Sequence, residues 1–132
     1  MDALRSFYDR MSANAADAFH DVVEMGRGTL TIGTAPGEWV TEEERLRFGF
    51  ETEGFQLRAG PRPAGYAEGT LGWAVDEPSF VFPDGTAWAT RLTAVMHQTE
   101  GRWRLVHMHV SVGVPDEETL ELQARWGTTP AV

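Results

Sequence analysis

The sequence contains no cysteine, which excludes a disulfide framework and any metal held by thiolates. No run approaches the length of about 18 apolar residues that a membrane-spanning helix needs. The opening, MDALRSFYDR, is polar by its fifth residue and lacks the basic-then-apolar pattern of a secretory signal; a cytoplasmic location is the expectation. Positive charge is scarce. Eleven basic residues against 20 acidic ones give a net charge of −9, so neither nucleic acid nor an anionic membrane is an expected partner, since both demand a basic footprint. Repeats and low-complexity segments are also absent. What remains is 132 residues, suited to one domain over 1–132 that buries roughly two-thirds of its unfolded surface.

Apolar spacing divides this chain into helices first and strands afterwards. Leu4, Phe7, Tyr8 and Met11 recur at helical spacing, and Ala15, Phe19, Val22 and Val23 continue the stripe. They predict helix over 3–24, broken near Ser12–Asn14, with Asn14 as an N-cap for the second piece. A short strand follows at Thr29–Ile32 between Gly- and Pro-rich turns. Thr41 and Glu44 form a capping-box pattern, opening a helix that ends near Gly54. From Tyr66 onward three strand-like runs stand out: Ala67–Asp76, Gly85–Thr99 and Trp103–Val112. PDG and TEG are the turns between them. Asp116 is the expected N-cap of a short C-terminal helix over about 116–126. Segregation of helices from an antiparallel meander predicts an α+β fold, helices packed on one face of a bent sheet.

If the TEG turn is a three-residue loop with Gly101 left-handed, paired residues keep the same parity. One sheet face then carries Trp88, Leu92, Ala94, Met96, Val106, Met108, Val110 and Val112. It is almost wholly apolar and should meet the helices. The other carries Arg91, Thr93, Val95, His97, Trp103, Leu105, His107, His109 and Ser111. That mixed face is too apolar for open water and suggests a subunit contact through Arg91, Val95, Trp103, Leu105, His107 and His109.

The segments LTIGTAPGEW, AEGTLGWAV and RLTAVMHQTEGRWRLVHMHVSVGVP, in that order, resemble the SnoaL-like branch of the nuclear-transport-factor-2-like superfamily. The resemblance spans about residues 15 to 118. It implies a cystatin-like cone: a strongly curved antiparallel sheet wrapped around N-terminal helices, with a pocket at the open end and a homodimer through the outer sheet face. Its members include polyketide cyclases, ketosteroid isomerase, dehydratases, epoxide hydrolases and a kinase association domain, so fold alone leaves the activity open. In the association domain, arginines line the pocket at positions matching Ala94 and Val110. Both are apolar here, so capture of a carboxylate is not implied.

His107 and His109 lie two apart on one strand and so share a face. A His-x-His pair can ligate metal, but His97 is the only local candidate for a third ligand. Interface or backbone hydrogen bonds are the simpler reading, and no metal is expected there. Trp39, Phe50, Tyr66, Trp73 and Trp88, with Met96, Met108 and Val110, are candidates to wall a pocket for a small hydrophobic molecule; core filling is the alternative for each. His20, Asp21, Glu24, Arg47 and Glu51 are the helical acids and bases, and His20 and Glu24 could bond to each other at four-residue spacing. The functional expectation is a cofactor-free binder of a small hydrophobic molecule. It could catalyse isomerisation, cyclisation or hydration, or act as a non-catalytic dimerisation or ligand-binding module.

Overall fold

The computed structural model describes residues 1–51 and 54–127. Helix α1 (Asp2–Ser12) buries Leu4, Phe7 and Tyr8, the stripe set by the helical spacing. It stops where Asn14 takes a left-handed φ of 55°, so Asn14 ends one helix rather than capping the next. A 3₁₀ turn (Ala16–Ala18) runs directly into the short α2 (Phe19–Val22). After β1 (Leu30–Ile32) and β2 (Trp39–Val40) comes α3 (Glu43–Glu51); its expected end near Gly54 adjoins residues 52–53, which lie outside the described residues. The C-terminal helix, α4, is Asp116–Arg125; Pro115 takes the N-cap position in place of Asp116, which becomes the first helical residue and makes no capping bond.

The strands make two sheets. β4 (Ala64–Glu68), β5 (Leu71–Asp76), β8 (Arg91–Thr99) and β9 (Arg102–Ser111) join β1 and β2 in the order β2-β1-β9-β8-β5-β4. β3 (Gln56–Arg58), β6 (Ser79–Val81) and β7 (Ala87–Ala89) form the second, ordered β3-β6-β7. Two of the expected runs differ from this. The first hides a hairpin, β4 turning into β5 at Gly69, whose φ is 64°. The second is broken at Thr90. The Thr90 amide and hydroxyl both donate to the carbonyl of the buried Pro78, at 3.0 and 2.8 Å. This cross-tie kinks the β5–β6 and β7–β8 paths at one place and turns the second sheet away from the first. Trp88 pairs with Phe80 in the second sheet, so it does not share a face with Val112, which lies exposed beyond the end of β9.

The β8–β9 hairpin departs from the expected loop. Thr99 pairs with Arg102, leaving a two-residue turn in which Glu100 and Gly101 both have positive φ, 55° and 75°, as a type I′ hairpin requires. Parity near the turn is therefore reversed. A bulge then restores it: Val95 pairs with His107 and Met96 with Leu105, leaving Val106 as the extra residue. Leu92, Ala94, Met96, Met108 and Val110 face inward as expected and join the core with Phe19, Phe50 and Leu105. The expectation that Trp103 and Leu105 face outward is corrected. Leu105 is 1 % exposed and Trp103 packs against the same core.

Candidate functional site

Helices α1, α2 and α3 cover the inner sheet face but do not fill it. They leave a cavity of about 400 Å³ walled by residues of α1–α3, β1, β2, β6, β7 and β9 and their connections. Phe7, Phe19, Phe50, Leu105, Met108 and Val110 form its buried floor; Phe48 and Trp88 stand exposed at its mouth. The chain has seven phenylalanines, and all seven line this one space: Phe7, Phe19, Phe48, Phe50, Phe55, Phe80 and Phe82. Several of these rings meet edge to face. Phe50 lies 5.5 Å from Phe7 and 5.3 Å from Phe19, and Trp88 stands 5.1 Å from Phe82, arrangements that suit ring quadrupoles. The polar lining is sparse: Thr31 and Thr34, with Glu38 and Arg45 exposed at the rim.

Of the expected pocket residues, Phe50, Trp88, Met108 and Val110 meet at this cavity. Trp39 does not. Its neighbours Glu38 and Val40 line the space while its own ring is exposed, because alternate strand residues point oppositely. Tyr66 and Trp73 pair across β4 and β5 and stack at 5.8 Å. With Met96 and Trp103 they border a separate hollow beside Met1. The other six phenylalanines escaped sequence reasoning because each sits in an ordinary apolar stripe or turn, and only the folded chain gathers them.

On the outer sheet face, Tyr66, Leu71, Trp73 and Val75 are exposed side by side, with Val95 half-buried next to Trp73. Arg91 is also there, its Nε donating to Ser111 at 3.3 Å. His107 donates through Nδ1 to the Leu30 carbonyl at 3.0 Å, while His109 is exposed. Among the described residues no three His, Cys, Asp or Glu side chains are placed to hold a metal ion.

The helical acids and bases pair elsewhere than expected. His20 meets Glu43 at 3.1 Å rather than Glu24. Arg47 reaches Glu43 at 3.6 Å and lies over the Phe19 ring. Asp21 binds Arg102 at 2.9 Å, and Glu51 is exposed. Glu24 binds Arg27 at 2.8 Å and His97 at 2.9 Å. Burial pushes the Glu24 carboxyl up, but the bonds from Arg27 and His97 overcome this and hold it below its ordinary value. One buried acid pair was also missed: the Tyr8 hydroxyl donates to Asp76 at 3.0 Å. Asp76 accepts in addition from the Gly60 and Glu77 amides, at 3.1 and 2.8 Å. Burial, then the neighbouring Asp76 carboxylate, raises the Tyr8 phenol far above its usual range. Neither residue lines the cavity; the pair ties Gly60 to the end of β5.

No helix among the described residues is long and apolar enough to cross a membrane. Similar folds occur among solved structures. A nuclear transport factor 2-like superfamily protein from Salmonella enterica is 17 % identical with a TM-score of 0.70, over 87 % of this chain and 89 % of that one. The association domain of C. elegans CaMKII is 18 % identical with a TM-score of 0.63, over 83 % and 89 %. A proposed dehydratase of the same superfamily from Streptomyces avermitilis is 13 % identical with a TM-score of 0.71, over 86 % and 92 %. At these identities the likeness is one of fold. No curated protein matches the sequence. The family model for the SnoaL-like domain matches residues 1–115, and with the helices, curved sheet and inner cavity in place, the chain belongs to the SnoaL-like domain family within the nuclear transport factor 2-like fold.

Proposed function

We propose that the chain binds a small, flat, predominantly apolar molecule in the cavity between α1–α3 and the inner sheet face. The observation that carries this is the convergence of all seven phenylalanines on one space of about 400 Å³, within the range of ordinary ligand pockets. Among the described residues the floor carries neither a carboxylate nor an imidazole. An isomerase, cyclase or hydratase needs an acid or base held against the reacting atom, so binding is the reading supported best. Neutral ligands should outrank carboxylates, because burying an uncompensated charge against phenylalanine is costly.

A thermal-shift comparison of neutral polycyclic aromatics with matched carboxylates tests this. A ligand at 100 times its Kd should add about 2.7 kcal/mol of stability, and Trp88→Ala should weaken the neutral hits. Larger shifts from the carboxylates, or neutral binding untouched by Trp88→Ala, would refute the reading.

The exposed row of Tyr66, Leu71, Trp73 and Val75 supports a second reading, a homodimer through the outer sheet face with Arg91, Val95, His107 and His109 at or near the contact. Leu105 has no place in it. Trp73→Asp should shift the species seen by light scattering toward monomer; a monomeric wild type at high micromolar concentration would rule the dimer out.

A further inference from the structure

The rim of the cavity holds one carboxylate in an unusually prepared position. Ala35-Pro36-Gly37-Glu38 is a turn with proline at its second place and a positive-φ glycine, 83°, at its third, the pattern of a type II turn. The Glu38 amide donates to the Ala35 carbonyl at 3.2 Å, and the Gly33 amide donates to the Glu38 carbonyl at 2.8 Å. The side chain then folds back over the same turn, where Glu38 Oε1 accepts from the Ala35 amide at 2.8 Å.

Gly33 makes this placement achievable. A Cβ at position 33 would lie 2.8 Å from Cδ and 2.9 Å from Cβ of Glu38, closer than real contacts allow. Gly33 does not have a positive φ, so its lack of a side chain provides room for the carboxylate rather than backbone freedom. Oε2 takes no hydrogen bond from any described residue. Glu38 is also the only carboxylate among the described residues lining the cavity. The other charged rim group, Arg45, is drawn toward Glu42 at 3.9 Å.

We infer that Glu38 is the polar anchor of the cavity, and that the ligand carries an O–H or N–H donor at one end of its apolar body. The inference rests on the cavity being the binding site, as proposed above. The body lies among the phenylalanines, and the donor meets Oε2 at the rim. A carboxylate already bonded and sterically seated loses little freedom on binding, and an ionised acceptor makes the stronger kind of hydrogen bond. Acids are turned away by the same group.

The probes are 2-naphthylmethanol and its methyl ether, which share the ring system and differ in the donor. Titration calorimetry on the full chain should give the alcohol about five- to tenfold tighter binding than the ether. Gly33→Ala and Glu38→Ala should each bring that ratio toward one, the first by displacing the carboxylate and the second by removing it. Glu44→Ala, an exposed acid away from the cavity lining, controls for net charge and should keep the wild-type ratio. A wild-type ratio of one with both probes bound overturns the anchor and leaves the cavity reading standing; so does a ratio preserved in Glu38→Ala. Failure of both probes to bind overturns the cavity reading and this inference together.

Discussion

Truncating Leu105 to alanine separates the two ways of pairing β8 with β9. With the two-residue turn and the bulge, Leu105 opposes Met96, faces the helices and is 1 % exposed. Removing a buried leucine side chain costs about 2–5 kcal/mol, the spread reflecting how far the surroundings collapse. Leu105 already borders the 400 Å³ cavity, so the vacated volume merges with open space and collapse recovers little. The expected loss is about 3.5 kcal/mol, the middle of that range. For a chain of this size it lowers Tm by roughly 10 °C. Val95→Ala is the internal control: Val95 is half-buried on the outer face, and its truncation should cost about 1 kcal/mol or less. Urea denaturation followed by circular dichroism, on both variants and the wild type, gives the two values directly. With a three-residue loop Leu105 would face outward. A loss of about 0.5 kcal/mol or less for Leu105→Ala, with a larger one for Val95→Ala, would refute the bulged register and the inward assignment of Leu105 with it.

Tyr8→Phe removes the hydroxyl from the buried Asp76 carboxylate and should cost about 1–2 kcal/mol near neutral pH, read by the same denaturation. The Tyr8 phenol titrates above its ordinary value of 10.0 in the folded chain. Its contribution is therefore complete below pH 10 and lost as pH rises beyond it; Tyr8→Phe should show less alkaline destabilisation than the wild type, and an identical alkaline slope would count against the buried pair. Glu24 has the opposite sign. Its folded carboxyl lies below the ordinary 4.5, so its contribution is present above that pH and lost as the solution is acidified through the folded value. Glu24→Gln should flatten the acid limb of a stability–pH curve, and an unchanged limb would argue against the bonds to Arg27 and His97.

Much of the architecture was legible in local pattern. The stripe through Leu4, Phe7 and Tyr8 places α1, its break falls at Asn14, and Asp116 opens α4. The alternation of Leu92, Ala94 and Met96, and of Met108 and Val110, marks the inner sheet face, because a half-buried strand imposes a period of two. The quoted motifs were enough to point to the family. Other features depend on contacts distant in sequence. Whether Leu105 faces in or out turns on one extra residue, Val106, accommodated opposite β8; the apolar alternation changes phase there, from Trp103 and Leu105 to Val106, Met108 and Val110, but that change reads as a mixed outer face until the partner strand fixes the register. Thr90 breaks an apparently continuous strand only because the Pro78 carbonyl, twelve residues earlier, is there to be bonded. The candidate site is more dependent still on the fold. Residues 7, 19, 48, 50, 55, 80 and 82 have no common spacing, yet they wall one cavity, and Gly33 matters only because Glu38 folds across it. Composition and periodicity determine which residues leave water. Which of them surround the same empty space is decided by the packing of helices against a kinked sheet.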